Sequence, residues 1–512
     1  MADMPEPVLL GSKPMTAAEV VDVVRGRAYV GLAEAVEKNL AATRQHIEKL
    51  ADATSPTYGV STGFGALATR HIPVESRTAL QRSLIRSHAA GAGPAVEPEV
   101  VRALMLLRLR TLASGYTGVR PETAQTLAAL LNADITPIVH EYGSLGCSGD
   151  LAPLAAVALA LMGEGEVVHA GTRRPAEEAL RAEGITPLVL AEKEGLALTN
   201  GTDGMLGMLL LAAADLHRLL DIADLTAAMS VEALLGTDRA FAADLQALRP
   251  HPGQAVSAAR MFAALQGSKI VESHRGPDCN RVQDAYSLRC APQVHGAARD
   301  TLAHAELVAD RELQSAVDNP VVLPDGRVES NGNFHGAPVG YVLDFLAVPV
   351  ADVASIAERR TDRMLDQARS HGLPPFLAHD PGVDSGHMIA QYTQAGVVSE
   401  LKRLAVPASV DSIPSSAMQE DHVSMGWSAA RKLRKAVDGL TTVLAVELLT
   451  AARALDLRAP LTPSPVTGRV RDLLRTRVEA PGPDRHLAPE IAAAEELVRS
   501  GAVLAAAELE VR

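Results

Sequence analysis

The chain has 512 residues, 47% of them apolar and only 3% aromatic, and 48 Lys+Arg against 61 Asp+Glu give a formal net charge of −13. Ala and Leu fill the apolar share, which favours helix over strand, and a core of this size is buried without disulfides or metal. The acidic balance excludes nucleic acid or an anionic membrane as the main partner, and three cysteines without a CxxC or Cys/His cluster exclude a disulfide framework and argue against zinc.

The opening Met1-Ala-Asp-Met-Pro-Glu-Pro lacks the basic start and apolar run of a signal peptide. The longest apolar runs, Met205 to Ala214 and Leu151 to Met162, are too short to cross a membrane. A cytoplasmic location is therefore expected. In chain order, Glu99 to Ala113 reads as a helix stopped by Gly115. Pro121 opens a second helix that runs to about Asn132. Asp215 to Leu235 and Asp300 to Leu313 read as helices too. Pro320 to Glu329 reads as a short hairpin turning at Asp325-Gly326. Lys432 to Leu457 carries Leu433, Val437, Leu440, Leu444, Leu448 and Leu455 as one apolar stripe, the mark of a long helix packed in a bundle. Pro481-Gly-Pro is a surface loop, and an Ala- and Glu-rich helical tail follows.

Long polar loops interrupt these helices: Tyr58 to Gly65, Gly143 to Asp150, Thr199 to Gly204, Ser330 to Gly336 and Ser415 to His422. Loops of this kind between packed helices often carry function. The run Gly143-Ser-Leu-Gly-Cys-Ser-Gly-Asp-Leu-Ala-Pro-Leu154 reads, by spacing alone, equally well as a glycine-rich turn into a helix capped by Asp150. It also permits a covalent reading. In a tightly bent segment the Gly149 amide nitrogen can attack the Cys147 carbonyl carbon, and only a residue as small as Gly149 allows the five-membered ring to close. Loss of water, including the Ser148 hydroxyl, leaves an exocyclic methylidene. The result is an electrophile that no ordinary side chain supplies. Helix N-termini aimed at it would stabilise its developing negative charge, and Asp150 could assist the dehydration.

With this run the sequence resembles the aromatic amino acid lyases, whose members carry this ring as 4-methylideneimidazol-5-one (MIO). The resemblance continues in order from about Thr57 to about Trp427, through every loop named above. It implies a mainly α fold, a long antiparallel helical bundle with long active-site loops of the histidine/phenylalanine ammonia-lyase kind. It implies one lyase chain over 1–512, with an N-terminal part to about 200 that holds the MIO loop and a central bundle with C-terminal helices beyond it. It further implies a homotetramer whose sites are each assembled from three subunits, an amino-acid substrate, MIO formed from Cys147-Ser148-Gly149, and neither metal nor diffusible cofactor.

Residue by residue, Tyr58 matches the family's base, a phenol whose reference pKa of ~10 needs help to ionise near neutrality. His88, in Ser87-His88, matches the pair that sets specificity. Asn200 matches the asparagine that supports the MIO and the substrate amino group. Gln283, Tyr286 and Arg289 stand at three-residue spacings that share a face if the stretch is helical. Tyr286 counts among the catalytic residues, and Arg289 is the natural two-pronged clamp for an α-carboxylate. Phe334 would pack near the MIO, and Gln419 would contact the substrate. Glu420 matches the acid of members that act on histidine, because a carboxylate suits an imidazole N–H and not a flat apolar ring.

His88 with Glu420 therefore points to conversion of L-histidine to trans-urocanate and ammonia. The alternatives are a phenylalanine or tyrosine ammonia-lyase or 2,3-aminomutase with the same electrophile, a fumarase-like helical lyase without it, and an inactive scaffold. The departures from the family pattern are Ser61 for Asn, Cys147 for Ala, Ala155-Ala156 for a His-bearing pair and Met418 for Asn.

Overall fold

Twenty α-helices and four small sheets make up the computed structural model, which describes residues 7–51, 59–63, 69–276, 279 and 281–509. The expected helices are present as Pro98–Ala113, Pro121–Asn132, Asp203–Ala233, Ala291–Leu313 and Gly426–Asp456. The third starts twelve residues before the expected Asp215 (203 against 215) because its first turns, Met205 to Ala213, are apolar on every side and show no period. The Pro320–Glu329 hairpin also forms, with Val321–Val322 paired antiparallel to Val328–Glu329 and Gly326 at φ +86° in the turn.

The chain divides into two compact units. The first comprises Met1–Leu211, Glu306–Leu343 and Pro407–Arg431. Its centre is the Pro98–Ala113 helix, whose apolar residues are buried on all faces. Arg108 lies in that core. It is satisfied by the Asp203 carboxylate and by the Ala197 carbonyl at 2.9 Å. Lys193 and Asp318 form a second fully buried pair at 2.6 Å. Burial pushes the Lys193 ammonium down and the Asp318 carboxyl up, and each is held back by its partner's charge. Removing one charge leaves the other stranded. Lys193→Met is expected to cost about 3–5 kcal/mol in urea unfolding.

The second unit comprises Ala212–Ala305, Asp344–Val406 and Lys432–Arg512. The stripe from Leu433 to Leu455 is buried, as its period demands. Buried polar groups tie its long helices side by side. Glu447 accepts from Thr226 Oγ1 at 2.7 Å, Ser230 Oγ at 2.9 Å and Arg360 Nη2 at 3.1 Å. Asp224 accepts from His295 Nδ1 and Arg299 Nη2. A network satisfied in this way fixes the register of the helices, because each unpaired member would be costly. The Ala- and Glu-rich tail is helical at Leu487–Ser500 and Ala502–Ala507. One helix, Ala337–Leu365, is long and apolar enough to cross a membrane by length and composition, but 61% of its apolar stretch is buried and its Asp344 pairs with Lys432 at 2.7 Å. It is a core helix.

Candidate active site

Gly149 explains the shape of the loop that carries Ser148. It sits at φ +76°, where an L side chain is strained, and a Cβ on it would overlap the backbone of Gly201. Gly149 and Gly201 form a parallel bridge, and the Asp150 N–H donates to the Gly201 carbonyl at 2.7 Å. The loop is thus stitched to the segment that opens the Asp203–Ala233 helix. Other backbone groups fix the loop from the opposite side. Leu145 O accepts from Met425 N at 2.9 Å, and Gly146 O accepts from Gly336 N at 3.1 Å and Ser424 Oγ at 2.7 Å. Four helices therefore begin against this loop, at Leu151, Asp203, Ala337 and Gly426. Their positive ends favour negative charge developing there.

Asp150 behaves differently from the sequence reading. It stands at the N-cap of Leu151–Leu161, but its carboxylate makes no cap bond to that helix. One oxygen accepts from Ser144 Oγ at 2.8 Å, and the other accepts from the N–H groups of Gly204 and Met205 at 2.8 and 3.0 Å. It caps the Asp203 helix instead. Burial pushes its carboxyl up to about 7, against the lowering effect of these hydrogen bonds. Its oxygens are thus engaged away from the Ser148 hydroxyl.

The carboxylate that meets Ser148 is Glu420. Its Oε1 accepts from Ser148 Oγ at 3.0 Å, and its Oε2 accepts from Cys147 Sγ at 3.1 Å and from Ser415 Oγ at 3.0 Å. Burial and the neighbouring Glu420 charge push the Cys147 thiol up to about 12. These groups line a cavity of about 620 Å³ together with Phe334 and Gln419. Of the expected site residues, Cys147, Ser148, Phe334, Gln419 and Glu420 thus share one cavity, and Gly149, next in the chain, is bridged to Gly201.

His88 ends the Arg77–His88 helix, and its Nδ1 lies 3.1 Å from Ser87 Oγ. Burial holds its pKa below the usual imidazole value, while the nearby Glu420 charge acts in the opposite direction. His88 is therefore an imidazole within the electrostatic reach of Glu420. Asn200 is buried and donates to the Asn319 carbonyl at 3.3 Å, which supports the cavity wall from behind.

That wall includes residues the sequence did not single out. Asn319 Oδ1 accepts from Ser330 Oγ at 3.0 Å and Asn331 N at 2.9 Å. His335 and His422 face the same cavity with their rings stacked at 5.7 Å. Asn331 and the two histidines stood inside the loops already noted. Asn319 stood next to a proline with no motif around it, so only the fold could find it.

Tyr58 lies outside the described residues. Gln283, Tyr286 and Arg289 belong to the second unit. Only Tyr286–Arg289 is helical there, so Gln283 lies on the preceding irregular segment and not on a shared helix face. The Arg289 guanidinium stacks over the Tyr286 ring at 4.8 Å, and Tyr286 is strongly exposed. Of the departures, Ala155 and Ala156 lie on the helix after the loop as expected, the first buried and the second half-buried. Met418 occupies a left-handed position at φ +69°, a conformation that Asn adopts more readily than Met.

Known proteins agree with this architecture. The aromatic amino acid lyase family profile matches residues 15–476. The histidine ammonia-lyase of Streptomyces coelicolor is 67% identical over 503 residues, covering 98% of each chain. Among solved structures, histidine ammonia-lyase from Trypanosoma cruzi superposes with a TM-score of 0.89 at 37% identity, covering 98% of this chain and 95% of the other. The tyrosine aminomutase of Streptomyces globisporus gives 0.92 at 36% identity, covering 99% and 100%. From the glycine loop around Ser148 to the helices that frame it, this chain belongs to the aromatic amino acid lyase family.

Proposed function

We propose that this chain is a carbon–nitrogen lyase that converts L-histidine to trans-urocanate and ammonia. The observation that carries the reading is the Glu420 carboxylate, held on Cys147 and Ser148 in a cavity and acting electrostatically on His88. A carboxylate and an imidazole offer an acceptor and a donor to the two nitrogens of a substrate imidazole. They offer nothing comparable to a phenyl ring.

The Cys147-Ser148-Gly149 segment fits MIO, because Gly149 sits at a φ that suits glycine and has no room for a Cβ. When formed, the group supplies an electrophile for the substrate amine. The other residues bind, orient and move protons. Glu420 and His88 hold the imidazole and align the side chain. Arg289 clamps the α-carboxylate, with Gln283 and Tyr286 beside it in sequence. Asn200 and Phe334 shape the wall near Ser148, and Gln419 contacts the substrate. Tyr58 takes the proton from the β-carbon.

The active form is a homotetramer with composite sites. Strongly exposed apolar side chains support this, among them Val282 and Tyr286 beside Arg289, and Tyr341, Phe345 and Val348 along one helix. A substrate panel tests the function. Purified enzyme is given L-histidine, L-phenylalanine and L-tyrosine, and the ultraviolet absorbance of urocanate, cinnamate and coumarate is followed. Release of urocanate is expected to be fastest. Faster turnover of phenylalanine or tyrosine, or formation of a β-amino acid, overturns the substrate assignment.

A further inference from the structure

We infer that the thiol of Cys147 is a positioning residue, anchoring one oxygen of the Glu420 carboxylate so that the other is presented to the substrate imidazole. The inference rests on the reading that Ser148 is dehydrated in the mature enzyme.

The two carboxylate oxygens are not equivalent. Among the described residues Oε2 has two donors, Cys147 Sγ at 3.1 Å and Ser415 Oγ at 3.0 Å, whereas Oε1 has one, Ser148 Oγ at 3.0 Å. The backbone under Glu420 is already fixed. Ser415 N donates to Glu420 O at 2.9 Å and Glu420 N donates to Ser415 O at 3.3 Å, across the left-handed residues Ser416, Ala417 and Met418. The freedom left to the side chain is mainly its terminal torsion, which is broad and roughly two-fold in glutamate. Two donors converging on one oxygen remove that freedom.

Ring formation then makes the asymmetry useful. The Gly149 N–Cys147 C bond forms, the Cys147 carbonyl oxygen leaves as one water with the Gly149 and Ser148 amide hydrogens, and a second water comes from Ser148. The Ser148 Cβ–Oγ bond breaks and its electron pair leaves with the oxygen. The Cα–H pair becomes the Cα=Cβ double bond. Oγ departs as water with its own hydrogen and the former Cα proton. Oε1 thereby loses the Ser148 donor and faces the cavity, while Oε2 keeps Cys147 and Ser415. The Cys147 thiol is suited to this task. Burial and the Glu420 charge push its pKa up to about 12, so near neutrality it stays an S–H donor and does not become a competing thiolate. An alanine at this place, as in most of the family, would leave Oε2 to Ser415 alone.

The test uses the full chain with Cys147→Ala, Cys147→Ser and Ser415→Ala, each checked by intact mass and thermal melting. All are expected to lose two waters, as the wild type does. Cys147→Ala and Ser415→Ala should each lower kcat/KM for L-histidine roughly 2- to 10-fold, the range of a single hydrogen bond. Turnover of L-phenylalanine should fall by a smaller factor than turnover of L-histidine, because its ring makes no use of the carboxylate. Cys147→Ser should restore most of the loss. An unchanged kcat/KM in Cys147→Ala, an equal loss with phenylalanine, or no rescue by serine overturns the inference. A wild-type mass that has lost no water overturns the dehydrated-Ser148 reading itself, and is recognised from the mass alone.

Discussion

Ser148→Ala is expected to lower ammonia release from L-histidine by roughly a thousandfold or more while leaving a folded protein. The size follows from chemistry. Alanine has no oxygen to expel, so the conjugated methylidene cannot form and the substrate amine remains a poor leaving group. The fold should survive because Ser148 is half-buried, and its hydrogen bond to Glu420 at 3.0 Å is one that dehydration removes from the wild type as well. Two measurements check the result together. Intact mass should fall two waters short of the sequence mass in the wild type and should not in the variant, and coupled ammonia assays should follow the same division. A Ser148→Ala protein that still releases ammonia at a rate near wild type would remove Ser148 from the mechanism.

Gly149→Ala is expected to be nearly as damaging, by a different route. The residue holds φ +76°, which costs an L residue about 1–2 kcal/mol before any contact is counted. The added Cβ would also overlap the carbonyl and amide of Gly201. Gly201 cannot retreat freely, because its own surroundings are the Arg108 guanidinium and the Asp203 carboxylate. The loop must open at its stitch to Gly201, taking the Ser148 segment out of its bend. A loss of roughly 3 kcal/mol or more in unfolding free energy is expected. The mass should remain that of the unmodified chain, and activity should be lost. Retention of both wild-type stability and the two-water mass deficit would show that the tight approach to Gly201 does not govern ring formation.

The two variants separate leaving-group chemistry from loop geometry. Ser148→Ala alters the first and spares the second. Gly149→Ala strikes the loop while keeping the hydroxyl.

How much of this was readable from the chain depends on distance along it. The apolar stripe from Leu433 to Leu455, the Asp325-Gly326 turn and the helix boundaries at Pro121 and Gly115 are local patterns, and they appear in the structure where they were expected. The tripeptide proposed to form the ring is also local. Its motif and the order of the polar loops were enough to identify the family and to nominate Glu420 and His88. The reading failed where two segments competed for one group. Asp150 looked like the cap of the helix that follows it, yet its carboxylate serves the N–H groups of Gly204 and Met205, more than fifty residues away. Gln283 was to share a face with Tyr286 and Arg289 only if the stretch were helical, and the helix begins at Tyr286.

Sequence alone thus determined which residues could do the chemistry, because residue type and short-range spacing set what a group can donate, accept or expel. Only the tertiary structure decided which of them meet. Ser148 and Glu420 are 272 positions apart, and the four helix starts around the loop come from separate stretches of chain. Such meetings are the outcome of burying apolar helix faces together. Burial is a property of the whole packed unit that no local pattern encodes.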